Sequence, residues 1–575
     1  MVNLPITAPT RRIPSFGDKA LWIMALLLIL VGFFLIYPVL LLLIQSFNVA
    51  PEIFSVPQWG LGNWRSGFDE PGLLRALVNT FMVWGLSTGI SLPIAVAIAW
   101  TLARTRIRFS HALEFMFWLA FMLPTVSVTI AWINLLDPYI GIFNAALGAI
   151  PFVGTFKLNI YSISGIVWMH IVTSGLPSMV ILLTPAFRNM DAVLEESSRV
   201  SGASNLATFI WVTLPLMMPP IVLVFALKLL RVFQTFEIEL LLGTPINFFV
   251  YSTYLYSILQ DSPPAYGKAA VLASITLLLI ALIIPFQRWI LNRKNYSTIT
   301  SKFKPGLIHL GVWQPVAFIL VFLVVALLTI IPFTALVVSS FMNRAGFFAL
   351  GFTLSQWQAV LSDPVFLQAL STTLLIATTA AVVGPLIFSL VAYVIVRTKW
   401  RGRALLDSMI WISSAVPGML HGLGVLMVFL STPGLNVLYG TIWALIFVVI
   451  FQGHTTGTNI SKAVFVQIGN EMEEAARVAG AGWLRSYITI WIPLLMPTLA
   501  VMAMLSFVIA SGTTSTIILL ASRETTTLSL LALEYGAEGF GNREAATVIS
   551  LVIIGLTCVI ASLIRAFGQR QSVHA

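Results

Sequence analysis

The stretch Glu196-Ser-Ser-Arg-Val-Ser-Gly202, running on to Val212-Thr-Leu-Pro215, returns as Glu474-Ala-Ala-Arg-Val-Ala-Gly480, running on to Ile490-Trp-Ile-Pro493. Glu to Gly is six residues and Glu to Pro nineteen in both copies. That spacing predicts a short helix, a Gly break, a second short helix, and a Pro opening a membrane helix. A polar hairpin repeated in an apolar chain reads as something built to be gripped from the cytoplasm.

The remainder of the chain is lipid-soluble. Of its 575 residues, 58% are hydrophobic and only 9% charged, with a mean hydropathy of +0.97, too apolar for a soluble fold of this length. Runs of about twenty apolar residues, the length that crosses a hydrocarbon core, recur about twelve times and leave no room for a sizeable soluble domain. They lie near 21–45, 77–102, 113–136, 161–186, 214–236, 269–292, 314–341, 368–396, 405–430, 437–458, 493–521 and 545–567. The expected fold class is an all-α polytopic membrane protein with about 12 transmembrane helices.

A net charge of +10 could suggest nucleic acid, but the basic residues are scattered through short loops and form no patch interleaved with aromatics. Their distribution instead follows the rule that cytoplasmic loops are basic. With both termini in the cytoplasm, Arg104/Arg106/Arg108, Arg293/Lys294/Lys302/Lys304 and Arg397/Lys399/Arg401/Arg403 fall inside. Arg65, Arg75, Lys157, Lys268, Arg344, Arg523 and Arg543 fall outside. The same orientation puts both Glu/Gly loops on the cytoplasmic side. Arg11-Arg12 precedes a run, Leu21 to Ile44, long enough to span and followed by no small-residue cleavage site, so it reads as a retained first helix. Cys558 is the single cysteine, which excludes a disulfide within the chain and suggests no thiolate metal site.

The second half repeats the first. Pro38/Pro332, Ser46-Phe47/Ser340-Phe341, Asn63-Trp64/Gln356-Trp357 and Arg104-Thr105/Arg397-Thr398 match at a spacing of 293 or 294 residues, which falls to 278 at the Glu/Gly loops. The difference is a longer external loop in the first half, from Asp137 to Lys157. Two tandem six-helix halves in the same orientation follow, a parallel duplication about an axis along the membrane normal. The expected division is residues 1–292 with a loop at 190–215, a basic cytoplasmic linker at 293–313, and residues 314–575 with a loop at 468–493. Segments 48–75 and 342–366, with Trp59, Trp64 and Trp357, are external candidates for a partner, or interfacial anchors.

Chemistry is sparse. No Gly-x-x-x-x-Gly-Lys-Ser/Thr run is present to cradle phosphates, and no nucleophile elbow, so neither ATP hydrolysis nor another enzyme activity is expected of this chain. His111, His170, His309, His421, His454 and His574 are dispersed and form no pair at metal-ligand spacing. An ion-driven carrier would set carboxylates deep in its helices, whereas Glu114, Asp137, Glu237, Glu239 and Asp407 lie in loops or near span ends. The exception inside the bilayer is Lys228 and Arg231, expected on one face of the fifth span, with Gln234 continuing that face and Glu237 near its end. The matching positions of the second half, Ser506, Ile509, Gly512 and Ser515, carry no charge. Lys228 and Arg231 read either as a pathway wall or as an internal ion pair or snorkelling cations.

The paired loops resemble the Glu-Ala-Ala signature of type I ABC importer permeases: Glu-Ala-Ala, three residues, Gly, nine residues, Ile, one residue, Leu-Pro. The second copy matches at Glu474, Ala475, Ala476, Gly480, Ile490 and Pro493, with Ile492 in place of Leu. The first keeps Glu196, Gly202, Leu214 and Pro215, with Ser197 and Ser198 for the two Ala and Val212 for Ile. The resemblance implies the type I importer fold, a bacterial cytoplasmic membrane, and a coupling helix in each loop that sits in a groove of a separate ATP-binding subunit. It further implies two copies of one ATPase, a soluble extracytoplasmic substrate-binding protein, no cofactor, and polar contacts by Glu196 and Glu474 at the joint. The fused arrangement, with Phe236–Pro245 and Tyr251–Tyr256, is similar to the ferric iron permeases, which share it with 2-aminoethylphosphonate, thiamine and polyamine permeases. Ferric iron is the first expectation for substrate and a small organophosphonate-like anion the second. An ion-coupled secondary transporter is the rival from another class.

Overall fold

A computed structural model describes residues 18–50, 56–148, 150, 157–292, 307–344, 350–469, 471–537 and 542–572. Among these the chain is helical, with turns and irregular links between the helices and only isolated bridges between extended residues. Most of the expected linker, 293–306, lies outside the described residues; beyond it the Ile308 N–H donates to Arg104 O at 2.7 Å.

Nine helices among the described residues are long and apolar enough to cross a membrane, or eleven if two bent pairs each count as one span. The first half holds α1 (Leu21–Gln45), α2 (Pro71–Arg104), the bent pair α3 (Ser110–Met122) and α4 (Thr125–Leu136), and α5 (Ile163–Arg188). It continues through α6 (Val193–Val200), α7 (Asn205–Thr208), α8 (Leu214–Leu230), α9 (Glu237–Leu242), α10 (Tyr251–Gln260) and α11 (Tyr266–Asn292). The second half holds α12 (Gly311–Phe341), α13 (Pro364–Arg397), the bent pair α14 (Arg403–Ser413) and α15 (Gly418–Ser431), α16 (Ile442–Gln452) and α17 (His454–Gln467). It ends with α18 (Glu471–Val478), α19 (Trp483–Ser486), α20 (Ile492–Gly512), α21 (Leu528–Gly536) and α22 (Arg543–Ser572).

Three expected spans differ in shape. The runs 113–136 and 405–430 are not straight: they bend by 99° and 114°. The cause is Pro124 and Pro417, since a proline pushes its predecessor out of helical geometry; Leu123 is extended at ψ 134°. The run 437–458 contains only the short apolar α16, which yields to α17 at Gly453.

Prolines near the start of several helices follow π turns instead. Gly32–Ile36 and Ala326–Ile330 precede Pro38 and Pro332, and Phe209–Thr213 and Tyr487–Trp491 precede Pro215 and Pro493. A proline removes one helical donor and crowds the carbonyl four residues back, and a widened turn relieves the clash. The carbonyl orphaned by Pro38 belongs to Phe34. It accepts a hydrogen bond from His421 Nε2, on α15, at 2.9 Å.

That bond is part of an exchange between the halves. The first helix α1 packs on α15 of the second half, while α12, first helix of the second half, packs on α4 of the first. Asn134 Nδ2 donates to Thr547 Oγ1 at 2.9 Å, and Arg543 Nη1 lies 2.6 Å from the buried Asp137 carboxylate, again across the halves. Within each half a buried threonine of the long helix receives the chain returning from the far end. Thr80 Oγ1 accepts from Tyr251 N at 2.9 Å, and Thr373 Oγ1 from Leu528 N at 2.8 Å. In the expected external segments, bridges Asn48–Trp59 and Met342–Phe352 repeat the same fold. Trp64 donates to Ser46 Oγ at 3.2 Å and Trp357 stacks on Phe341, leaving Trp59 exposed.

Candidate functional site

The two Glu/Gly loops fold as matched elbows. In the first, α6 ends at Gly202, whose φ of +88° is a left-handed conformation that a side chain disfavours; Gly480 repeats it at +79°. The Ala203 N–H returns to Ser198 O at 3.1 Å and Ala481 N–H to Ala476 O at 2.9 Å, the closing bond of a Schellman turn. Short helices α7 and α19 follow, then the π turns, then Pro215 and Pro493 in the first turns of α8 and α20.

The small residues of the signature divide by face. Ser198 sits against α7, its Oγ 3.0 Å from Thr208 Oγ1, and its counterpart Ala476 is half-buried. Ser197 and Ala475 point outward. Glu474 is exposed and Glu196 half-buried, both within reach of the surface. Apolar side chains stand out beside them: Val200 is 89% and Val478 91% exposed, and Leu194, Met472, Leu206 and Leu484 are exposed as well. A matched apolar edge on two polar hairpins is the character of a docking surface.

The residues that hold the elbows in place lie outside the repeated signature. Glu195, immediately before Glu196, is fully buried and takes a hydrogen-bonded ion pair from Arg104 at the end of α2. Thr213 Oγ1 donates to the same carboxylate at 2.6 Å, and Arg104 Nη1 also donates to Met190 O at 2.9 Å. In the second elbow the equivalent Glu473 is buried and accepts from Tyr393 OH at 3.0 Å. Arg397, matching Arg104, donates to Phe465 O and Ile468 O and lies 4.8 Å from the Trp491 ring centroid. The signal available was the acidic doublet, Glu195-Glu196 and Glu473-Glu474, repeated at the spacing of the loops.

The second site is a cavity of about 180 Å³ in the first half, which Lys228, Arg231, Gln234 and Glu237 line together with Trp84 and His170. The expected helical face is corrected here: α8 stops at Leu230, Arg231 is its cap, and 231–236 is irregular. Backbone leaves a helix at membrane depth only where protein or a water-filled cavity satisfies it, and this segment borders one. Trp84 Nε1 donates to Lys228 O at 3.1 Å. Trp84 lies about 30 Å along α2 from Arg104 and about 20 Å from the helix start, by a rise of about 1.5 Å per residue. Lys228 Nζ donates to Ser174 O, in the π turn of α5. Among the described residues Arg231 has no ion pair or side-chain hydrogen bond. Glu237 turns the other way, accepting from Thr514 Oγ1 and, at 3.4 Å, from Ser515 N of the second half. His170 Nε2 is 2.6 Å from the buried Glu239 carboxylate.

Glu237 and Ser515 occupy matching positions in the two halves. Equivalent residues can touch only on the axis relating the halves. A second cavity, about 530 Å³, continues along it and is lined by further matched pairs, Leu240/Ile518 and Thr244/Ser522. The Lys228–Arg231 cavity is therefore beside the axis and one-sided, whereas the larger one is shared. Among the described residues no group of three or more His, Cys, Asp or Glu side chains is placed to hold a metal ion.

Comparison with known proteins follows this layout. A family model described as "Binding-protein-dependent transport system inner membrane component" matches residues 89–296 and again 384–573, one elbow in each stretch. The chain is 25% identical over 535 residues to the ferric transport system permease protein FbpB of Actinobacillus pleuropneumoniae, covering 88% of this chain and 73% of that one. FbpB 1 of Haemophilus influenzae, again named for ferric transport, is 25% identical, with 88% of this chain and 79% of the relative covered. The molybdate/tungstate transport system permease protein WtpB of Pyrococcus abyssi is 28% identical over 211 residues, 36% of this chain and 82% of the relative. Matched twice, over both of its repeated halves, this chain belongs to the family of binding-protein-dependent transport system inner membrane components.

Proposed function

We propose that this chain, a permease component of an ABC importer, is driven by two separate ATPase subunits, each seated on one elbow. The observation that carries this is the duplicated elbow itself, rigidly fixed from behind through Glu195 and Glu473 and apolar at Val200 and Val478 in front. Glu196, Ser197, Ser198, Gly202 and Pro215, with Glu474, Ala475, Ala476, Gly480 and Pro493, form the two sockets. The elbows and both termini face the cytoplasm, and a soluble binding protein delivers substrate at the opposite face, where the axial cavity lies. The two ATPases bind one conformation more tightly than the other, and that difference alone shifts the permease between inward- and outward-facing states.

Ferric iron is the proposed cargo, supported by the likeness to two ferric permeases over 88% of the chain. One observation favours a second reading, an organophosphonate or similar small anion: the cavity beside the axis carries Lys228 and Arg231. A bare trivalent cation about 4 Å from one fixed positive charge is repelled by about 12 kcal/mol at an effective dielectric of about 20, or about 4 kcal/mol per unit charge. The test is uptake into proteoliposomes holding the chain, its ATPase and its binding protein. ATP-dependent accumulation of iron is expected. Accumulation driven by a proton or sodium gradient with no ATPase present would refute the importer reading in favour of a secondary carrier.

A further inference from the structure

We propose that the cavity bounded by Lys228 and Arg231 is an oxyanion subsite, taking a multiply charged tetrahedral anion of the phosphate or phosphonate class. The inference rests on the importer reading above and specifies what the first half holds as cargo passes. Four observations lead to it. Two cations line one open-mouthed cavity, and the exposed Arg231 meets no carboxylate among the described residues. The acid that shares the space, Glu237, spends its hydrogen bonds on Thr514 and Ser515 across the axis. The remaining wall offers the hydroxyls of Thr88 and Thr125, which can donate to an anion but cannot neutralise it, whereas Ser87 and Thr173 give their protons to Trp84 O and Met169 O. Finally, Ser506, Ile509, Gly512 and Ser515 at the matching positions carry no charge, so the translocator has one such subsite, off the axis.

Cations at this depth are costly unless water or a partner satisfies them. Lys228 is partly satisfied by the Ser174 carbonyl, and the exposed Arg231 guanidinium is open to an incoming anion. Arg presents a planar fork that matches two oxygens of such an anion, and Lys adds a point charge. Two cargoes share this chemistry: an oxyanion imported for itself, and a ferric ion whose charge is masked by an oxyanion ligand.

The test uses the full chain in detergent micelles and inorganic phosphate as probe, read by the broadening of its 31P resonance. Saturable broadening is expected in the wild type. It should fall at least tenfold in K228Q and in R231Q and be retained in R231K, which keeps the charge, and in K399Q, which removes a basic residue from an exposed turn. Broadening that is absent from the wild type, or equal in K228Q, R231Q and K399Q, overturns the subsite. Size-exclusion profiles like the wild type's show that the glutamine variants are folded. The source is resolved in proteoliposomes. Iron uptake that requires added phosphate supports the masked metal, and uptake of 2-aminoethylphosphonate without iron supports the free anion. Iron uptake indifferent to phosphate, with no phosphonate uptake, overturns both. Failure of wild-type chain to retain its ATPase on co-purification would instead sink the importer reading, whatever the 31P signal.

Discussion

At the scale of single residues, each elbow divides its acids: Glu195 and Glu473 are buried behind it, and their neighbours Glu196 and Glu474 lie toward the surface. Arg104→Gln strands a buried carboxylate, for which a loss of about 3–5 kcal/mol is typical. The expected outcome is a marked fall in the thermal midpoint in detergent, with R104Q/E195Q losing less than the two single changes combined. Full additivity would mean that the pair does not act as a unit. Gly480→Ala forces a side chain into a left-handed turn at about 1–2 kcal/mol. Its expected signature is intact insertion with a reduced ratio of substrate imported to ATP hydrolysed, and Gly480→Pro or Glu474→Lys should carry the same defect further. Normal uptake by all three would count against the elbow as a socket. The signature residues were legible because their spacing repeats, whereas the anchoring acids were not, since burial of Glu195 depends on where α2, ninety residues upstream, happens to end.

At the scale of elements, proline determines the shapes. It bends α3/α4 and α14/α15 and widens α1, α12 and the helices after the elbows into π turns. His421→Leu keeps the volume of the side chain but leaves the Phe34 carbonyl without its donor. A stability loss of about 1 kcal/mol is expected, as bonds between membrane helices are modest, and an unchanged thermal midpoint would show the cap to be dispensable. Element ends were the least legible feature. The apolar run 214–236 predicts a span through Arg231 and Gln234, yet the helix stops at Leu230. The pattern of side chains does not record that a cavity there lets the backbone unwind.

At the scale of the whole molecule, the two-half repeat could be read from matched intervals, but the partner of each first helix could not. An apolar run specifies lipid or protein around it without naming which, and only the structure shows α1 lying on the second half and α12 on the first. The contact of Glu237 with Ser515 offers a direct test of motion about the axis. With the native thiol removed by Cys558→Ser, E237C and S515C bridged by a short bifunctional thiol reagent should abolish uptake, and reversal of the bridge should restore it. Uptake that continues while the bridge is complete would mean the path does not open between the halves. The exchange of first helices also imposes an order of events during synthesis. The Phe34 carbonyl and the imidazole that caps it are 387 residues apart. At about 5–20 residues per second, the first helix waits in the bilayer for roughly 20–80 s before its lock is made. Over that interval the growing polypeptide is an unfastened clasp, and insertion machinery or lipid must shelter the bare oxygen until the ring arrives.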